Sequence, residues 1–162
     1  CECGGALRRA TLRGYDFSAD AGLPVTLLRV PGWRCSRCGG ETLDGAAIGA
    51  ALRALALAIL RKPERLTFEE ARYLRKFLDA TQRALAALMG ITRETVAAWE
   101  CGQTEISPQH DYIVRALVVA HVAAGLPPAA VADTASALGS VRTARAKRHK
   151  ALELEIGDLD AA

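Results

Sequence analysis

Between residues 81 and 102 the chain carries two helix starts and two helix stops in quick succession. Thr81 precedes the run QRALAALM, which Gly90 follows; Thr92 precedes RETVAAWE, which gives way to Cys101 and Gly102. A threonine hydroxyl satisfies an orphan N–H at a helix start, and glycine adopts the left-handed conformation that a tight helix end needs. The spacing therefore predicts a short helix from Gln82 to Met89 and another from Thr92 to Gly102. Helices this short are not stable alone and must share a core. Leu85, Ile91, Val96 and Trp99 are the candidates to fill it, with Ala86 small because the second helix crosses over it. Upstream, Thr67 and Glu70 have the spacing of a capping box. They open a helix with Ala71, Leu74, Phe77 and Leu78 as its apolar stripe and Arg72, Arg75 and Lys76 beside it.

Two short helices joined by a glycine turn make up the unit that lays its second helix in a DNA major groove. A plain helical bundle would use the same caps, so spacing alone leaves both open. Composition favours helices throughout, since aromatic residues are only 5% of the chain and alanine is abundant. Charge argues against indiscriminate nucleic-acid binding. The net charge is +3, and residues 63–125 hold seven basic against eight acidic side chains, compared with nine against five in residues 1–62.

Residues 1–42 have a different character. Glycines and prolines punctuate two stretches, Ala6–Phe17 and Leu23–Arg34. The second alternates as a strand should, with an irregularity expected near Pro31, and the two are expected to pair antiparallel. The sequence opens CECGG and later reads CSRCGG, which puts Cys1, Cys3, Cys35 and Cys38 at two glycine-followed corners. Paired thiolates of this kind suit a closed, structural Zn2+ site, and so small a core needs such a staple. The alternative is a redox-active or incidental pair. The first pair is C-x-C, not C-x-x-C, so the fourth ligand is either Cys1 or a residue upstream of it. Asp44 is placed to cap a linking helix over 43–63, ended by Lys62-Pro63. Its apolar run carries Asp44 and Arg53 and reads as a soluble amphipathic helix, not a membrane span. With no secretory signal visible, a cytoplasmic, nucleoid-associated bacterial protein with reduced thiols is expected.

The segment TQRALAALMGITRETVAAWECGQ resembles the XRE (Cro/phage-repressor-like) helix-turn-helix family at Gln82, Leu85-Ala86, Gly90-Ile91, Val96, Trp99-Glu100 and Gly102. With the cysteine module ahead of it, the chain resembles MqsA-type antitoxins with a YgiT-type zinc finger. The resemblance implies an α+β protein: a small zinc-bound β-rich module at 1–42, then an all-α helix-turn-helix domain at 64–125, with a C-terminal helix and tail at 126–162. It further implies that Gln82 and Arg83 bind phosphates and that Thr92, Arg93, Glu94, Thr95 and Ala98 face base edges. Arg93 would take guanine, Glu94 cytosine and Thr95 a thymine methyl. Ala98 departs from the long polar side chain usual there, and the amides around Gly102 and Gln103 would meet the DNA backbone. Arg75 and Glu100 would form a structural pair between the first and third helices.

The functional expectation is a sequence-specific repressor that binds double-stranded, palindromic operator DNA. As an antitoxin it would also bind a toxin through the zinc module. The alternatives are a stand-alone XRE-family factor, and an enzyme or redox switch built on the cysteines. No nucleotide-binding loop or nucleophile–histidine arrangement favours an enzyme. Cys101 stands alone, and His110, His121 and His149 lack metal-ligand spacing. Ile113, Leu117, Val118, His121 and Val122 are expected to line one side of a helix from Pro108 to Gly125. With a further helix opened by Pro127-Pro128 and reaching Leu138, that side would form a homodimer interface. The tail's basic run from Arg142 to Lys150 turns acidic and is expected to fray.

Overall fold

The computed structural model describes residues 1–123, 132–133, 135–136, 138 and 151–156. They fall into two compact units: Cys1–Leu55 with the C-terminal stretch from His149, and Ala56–Arg148. The first is a β-rich module bearing the cysteines and the second is helical, so the chain is α+β.

The first unit is organised around one long strand. β3 (Val25–Cys35) pairs antiparallel with β1 (Leu7–Leu12), β2 (Tyr15–Asp16) and β4 (Glu41–Thr42). A short helix, α1 (Ser18–Ala21), closes the turn between β2 and β3. The expected antiparallel pairing is present, from Leu7↔Cys35 to Leu12↔Val30. The expected irregularity is not at Pro31, which sits in the ladder opposite Thr11. It lies between Leu27 and Arg29, where the register shifts. There the buried positions change phase, from Val25 and Leu27 to Val30 and Gly32, and Leu28 is left exposed. An extra residue in a strand reverses which face its side chains take. Leu12, Phe17, Val25, Leu27 and Val30 are fully buried and form the core.

The tail requires a correction. Far from fraying throughout, residues Leu152–Glu155 form β5, which pairs parallel with the first half of β3 from Val25↔Leu152 onward. Ile156 is buried and its N–H donates to the Arg29 carbonyl at 2.9 Å. The basic run before it lies outside the described residues, as does most of the expected helix up to Leu138, of which residues 132, 133, 135, 136 and 138 are helical.

Asp44 caps α2 (Gly45–Arg61), accepting from the Ala47 N–H at 2.8 Å. The division between the units falls inside this helix. In the second unit follow α3 (Phe68–Phe77), α4 (Gln82–Met89), α5 (Arg93–Glu100) and α6 (Pro108–Ala123). Each of the first three starts at its predicted threonine. Thr67 and Glu70 form the full capping box, with the Thr67 N–H donating to Glu70 at 2.7 Å. Thr81 and Thr92 accept from the N–H groups of Ala84 and Thr95 at 3.1 and 3.2 Å. Gly90 ends α4 at φ 66°, a left-handed conformation open to glycine at little cost. Leu85, Ala86, Val96 and Trp99 are buried as expected, whereas Ile91 is half-buried. On α6 the expected apolar side is buried in part, at Val118 and Val122, with Leu117 half-buried. The buried side of the helix is Asp111, Val114, Arg115, Val118 and Val122, while Ile113 and His121 are exposed. A buried ion pair there turns the helix away from the face that apolarity alone selects.

Candidate DNA-reading and metal-binding sites

The recognition element is built from the threonine cap outward. Thr92, Arg93 and Glu94 are exposed at the first turn of α5, and Thr95 and Ala98 are half-buried on the same helix. The Thr92 and Thr95 hydroxyls lie 2.9 Å apart, which fixes the Thr95 side chain against the cap. Arg93 and Glu94 approach each other only to 4.0 Å and are more than half exposed, so little holds either side chain back from a ligand. Beyond the helix, Gln103 is exposed, and its N–H closes onto the Ala98 carbonyl at 2.9 Å.

The other end of α5 is pinned. Arg75 of α3 grips Glu100 with two parallel bonds, Nε to Oε1 at 2.6 Å and Nη2 to Oε2 at 2.9 Å, and its Nη1 donates to the Ala80 carbonyl. Arg72, one turn earlier, donates to the Glu100 backbone carbonyl. Glu100 is 2% exposed. Burial opposes its charge, but the bonds from Arg75 and Gln82 and the nearby Arg75 and Arg72 charges prevail and hold its carboxyl below the usual range. The structure thus places Arg75 and Glu100 together between the first and third helices.

Gln82 is placed differently from a free phosphate ligand. Its Nε2 donates to Glu100 Oε2 at 2.9 Å, which ties the start of α4 to the end of α5. Arg83 beside it is exposed. Arg72 is a member of this network that its sequence pattern did not single out. Its signal was present, because Arg72 and Arg75 are three residues apart and share a helix face.

In the other unit the sulfurs of Cys1, Cys3, Cys35 and Cys38 all lie within 4.8 Å of one another, so the four can hold one metal ion. Successive sulfurs are 3.5 Å apart from Cys38 through Cys1 and Cys3 to Cys35. Backbone amides turn toward them: the Arg37 N–H donates to Cys35 Sγ and the Gly40 N–H to Cys38 Sγ, each at 3.4 Å. Amides of Cys38 and Arg37 bring the Cys35 thiol down to about 7. Gly5 packs against the cluster so closely that a Cβ there would stand 2.6 Å from Cys35 Sγ and 2.7 Å from Arg37 Cβ. Cys101 is exposed and apart from this group, and His110 bonds Ser107 at 2.9 Å.

Compared with known proteins, residues 72–110 match the family described as Helix-turn-helix. No curated protein and no solved structure matches the chain. Among the described residues no helix is long and apolar enough to cross a membrane. The matched stretch runs from Arg72 through both capped helices to His110 and includes the whole Arg75–Glu100–Gln82 network, so residues 72–110 are an XRE-type helix-turn-helix domain, the DNA-binding part of transcription regulators.

Proposed function

We propose that the protein is a sequence-specific repressor that reads its operator with α5 and is stabilised by a structural Zn2+ on its four cysteines. The observation that carries the first part is the contrast along α5. Its C-terminal end is fixed by Arg75, Arg72 and Gln82, while Thr92, Arg93 and Glu94 at its start stand exposed. A rigid helix with a free, polar first turn is what base reading in a major groove requires. Arg93 takes guanine and Glu94 accepts from cytosine, with Thr95 and Ala98 beside them, and phosphates are met by Arg83, by the Gln103 side chain and by the second amide hydrogen of Gln82, whose first is held by Glu100.

Zinc fits the cysteine cluster on geometry. Four thiolates at about 2.3 Å from one ion in a tetrahedron stand about 3.8 Å from each other, close to the 3.5 Å between neighbouring sulfurs here. Cys1 is within this set, which supports it as the fourth ligand. With four protein ligands the site is closed and structural. A reducing cytoplasmic location suits it.

The test is selection of binding sites from a random duplex library by the full zinc-loaded chain. The expected result is a defined, palindromic site. Arg93→Ala should then weaken binding about 5- to 150-fold and relax preference at one base pair per half-site, from the loss of about 1–3 kcal/mol. Equal affinity for all duplexes would sink the proposal.

The finer reading, an antitoxin that represses its own operon as a homodimer and binds a toxin, rests on the cysteine module standing ahead of a helix-turn-helix. Co-purification with the product of an adjacent toxin-like gene supports it over a stand-alone regulator. A monomer that binds no such product speaks for the stand-alone factor.

A further inference from the structure

We propose that the exposed face of the β1–β3 pair in the cysteine-bearing unit is a second duplex-DNA surface, which grips phosphates through Arg9, Arg13 and Arg29. This rests on the reading of the protein as a DNA binder and adds a surface outside the helix-turn-helix.

Residues 7–13 and 25–35 contain five arginines, no lysine and no carboxylate. Their placement follows from the register. Arg9 pairs with Trp33 and Thr11 with Pro31. The ladder continues past Leu12↔Val30 to the Gly14 N–H on the Leu28 carbonyl, which sets Arg13 across from Arg29. Arg9, Thr11, Arg13 and Arg29 are all exposed. Leu12, Val30 and Gly32 are buried on the other face, whereas Arg9 on β1, Arg13 at the bend beyond it and Arg29 at the register shift of β3 are open to solvent.

The patch is offset only in part by its neighbours: the Arg9 charge helps lower the Asp44 carboxyl, and Arg13 has no ion pair among the described residues. The Arg9 guanidinium lies 5.8 Å from the centre of the Trp33 ring. The indole thus holds one arginine in an outward pose at low entropic cost. Glu155 approaches Arg29 to 3.8 Å, but both side chains are more than half exposed. An ion pair of this kind contributes little and gives way readily to a phosphate.

Arginine without lysine is the signature of oxyanion recognition, because the guanidinium fork matches two phosphate oxygens. Arg9 on β1 and Arg13 at the bend one residue past its end are at most about 13 Å apart along the chain, within reach of the major-groove width of about 12 Å. They can therefore reach phosphates on both rims of one groove. A protein partner would want an apolar centre in its docking surface, and here Leu7 and the half-buried Pro31 and Trp33 lie among the exposed polar side chains of Arg9, Thr11, Arg13 and Arg29.

The experiment measures binding of the full zinc-loaded chain to its selected site as a function of salt. For each phosphate that an arginine no longer neutralises, the slope of log K against log salt should become shallower by about 0.9. The variant R9Q/R13Q/R29Q is expected to have a slope shallower by about 2.7 at unchanged zinc content and base preference. By contrast R8Q/R34Q/R53Q, with the same charge removed elsewhere, keeps the wild-type slope. A wild-type slope in the first variant, or an equal flattening in both, would overturn the inference while leaving the repressor reading intact. A wild-type chain that binds no duplex overturns both.

Discussion

Arg115 donates from Nε to Asp111 Oδ1 at 2.6 Å, and both side chains are wholly inaccessible to solvent. The guanidinium spends its other hydrogens on backbone carbonyls: Ile59, Leu60 and Lys62 from Nη1, and Glu64 from Nη2 at 2.6 Å. Asp111 Oδ2 accepts from the Leu66 N–H at 2.6 Å. One buried ion pair therefore satisfies the last carbonyls of α2 and fixes the start of the helix-turn-helix segment on α6.

Removing one partner should be far more damaging than its place away from DNA suggests. Arg115→Met leaves a buried carboxylate and several carbonyls unmatched and should cost about 3–5 kcal/mol in urea unfolding. Asp111→Asn, which keeps an acceptor for Arg115 but not the charge, should cost less. A change below about 1 kcal/mol in R115M would contradict the structural role given to the pair.

The Arg75–Glu100 bond gives stability a definite pH dependence. The Glu100 carboxyl titrates below its unfolded value, so its contribution is complete above the ordinary glutamate range near about 4.3. It is lost as pH falls through the lower, folded value. Wild type should exceed Glu100→Gln in stability at neutral pH by a constant amount, and the gap should close only in acid below about pH 4. A gap that instead opened on acidification would show the sign to be wrong. DNA affinity should fall in E100Q as well, because the amide keeps one acceptor oxygen but loses the charge and the second oxygen that together hold Arg75 and Gln82 on α5.

Metal removal should act on one unit first. A strong chelator, or Cys35→Ser, should remove one equivalent of zinc and the order of β1, β3 and β4, followed by amide exchange, while α3 to α5 keep their protection. Gly5→Ala should have a milder form of the same effect, since its methyl would displace Cys35 Sγ. Full protection of β3 in metal-free protein would rule out a structural role for the ion.

Deleting the chain from Leu152 onward should destabilise the cysteine-bearing unit. The deletion strips β5 from one edge of β3 and uncovers Val25 and Leu27, at present fully buried. Exchange of the Val25–Leu27 amides should rise, with α3–α5 unaffected. Unchanged exchange would show β5 to be dispensable.

Sequence determined the elements whose signals are local. Thr67, Thr81, Thr92 and Gly90 set the bounds of α3, α4 and α5, because a cap is a contact between residues three or four apart and is written in the spacing. The cysteine corners were equally legible, since thiols at glycine turns have few other uses. What reached across the chain was not. Only the tertiary structure decided that LELE joins β3, over a hundred residues away, because a four-residue alternation carries no address for its partner strand. Only it decided that α6 buries Asp111 and Arg115 in place of Ile113, because burying charge is unfavourable until the distant carbonyls of Ile59 to Glu64 are there to receive it. And only it turned Gln82 onto Glu100, since the cost of leaving a buried carboxylate short of donors depends on which side chains the fold brings beside it.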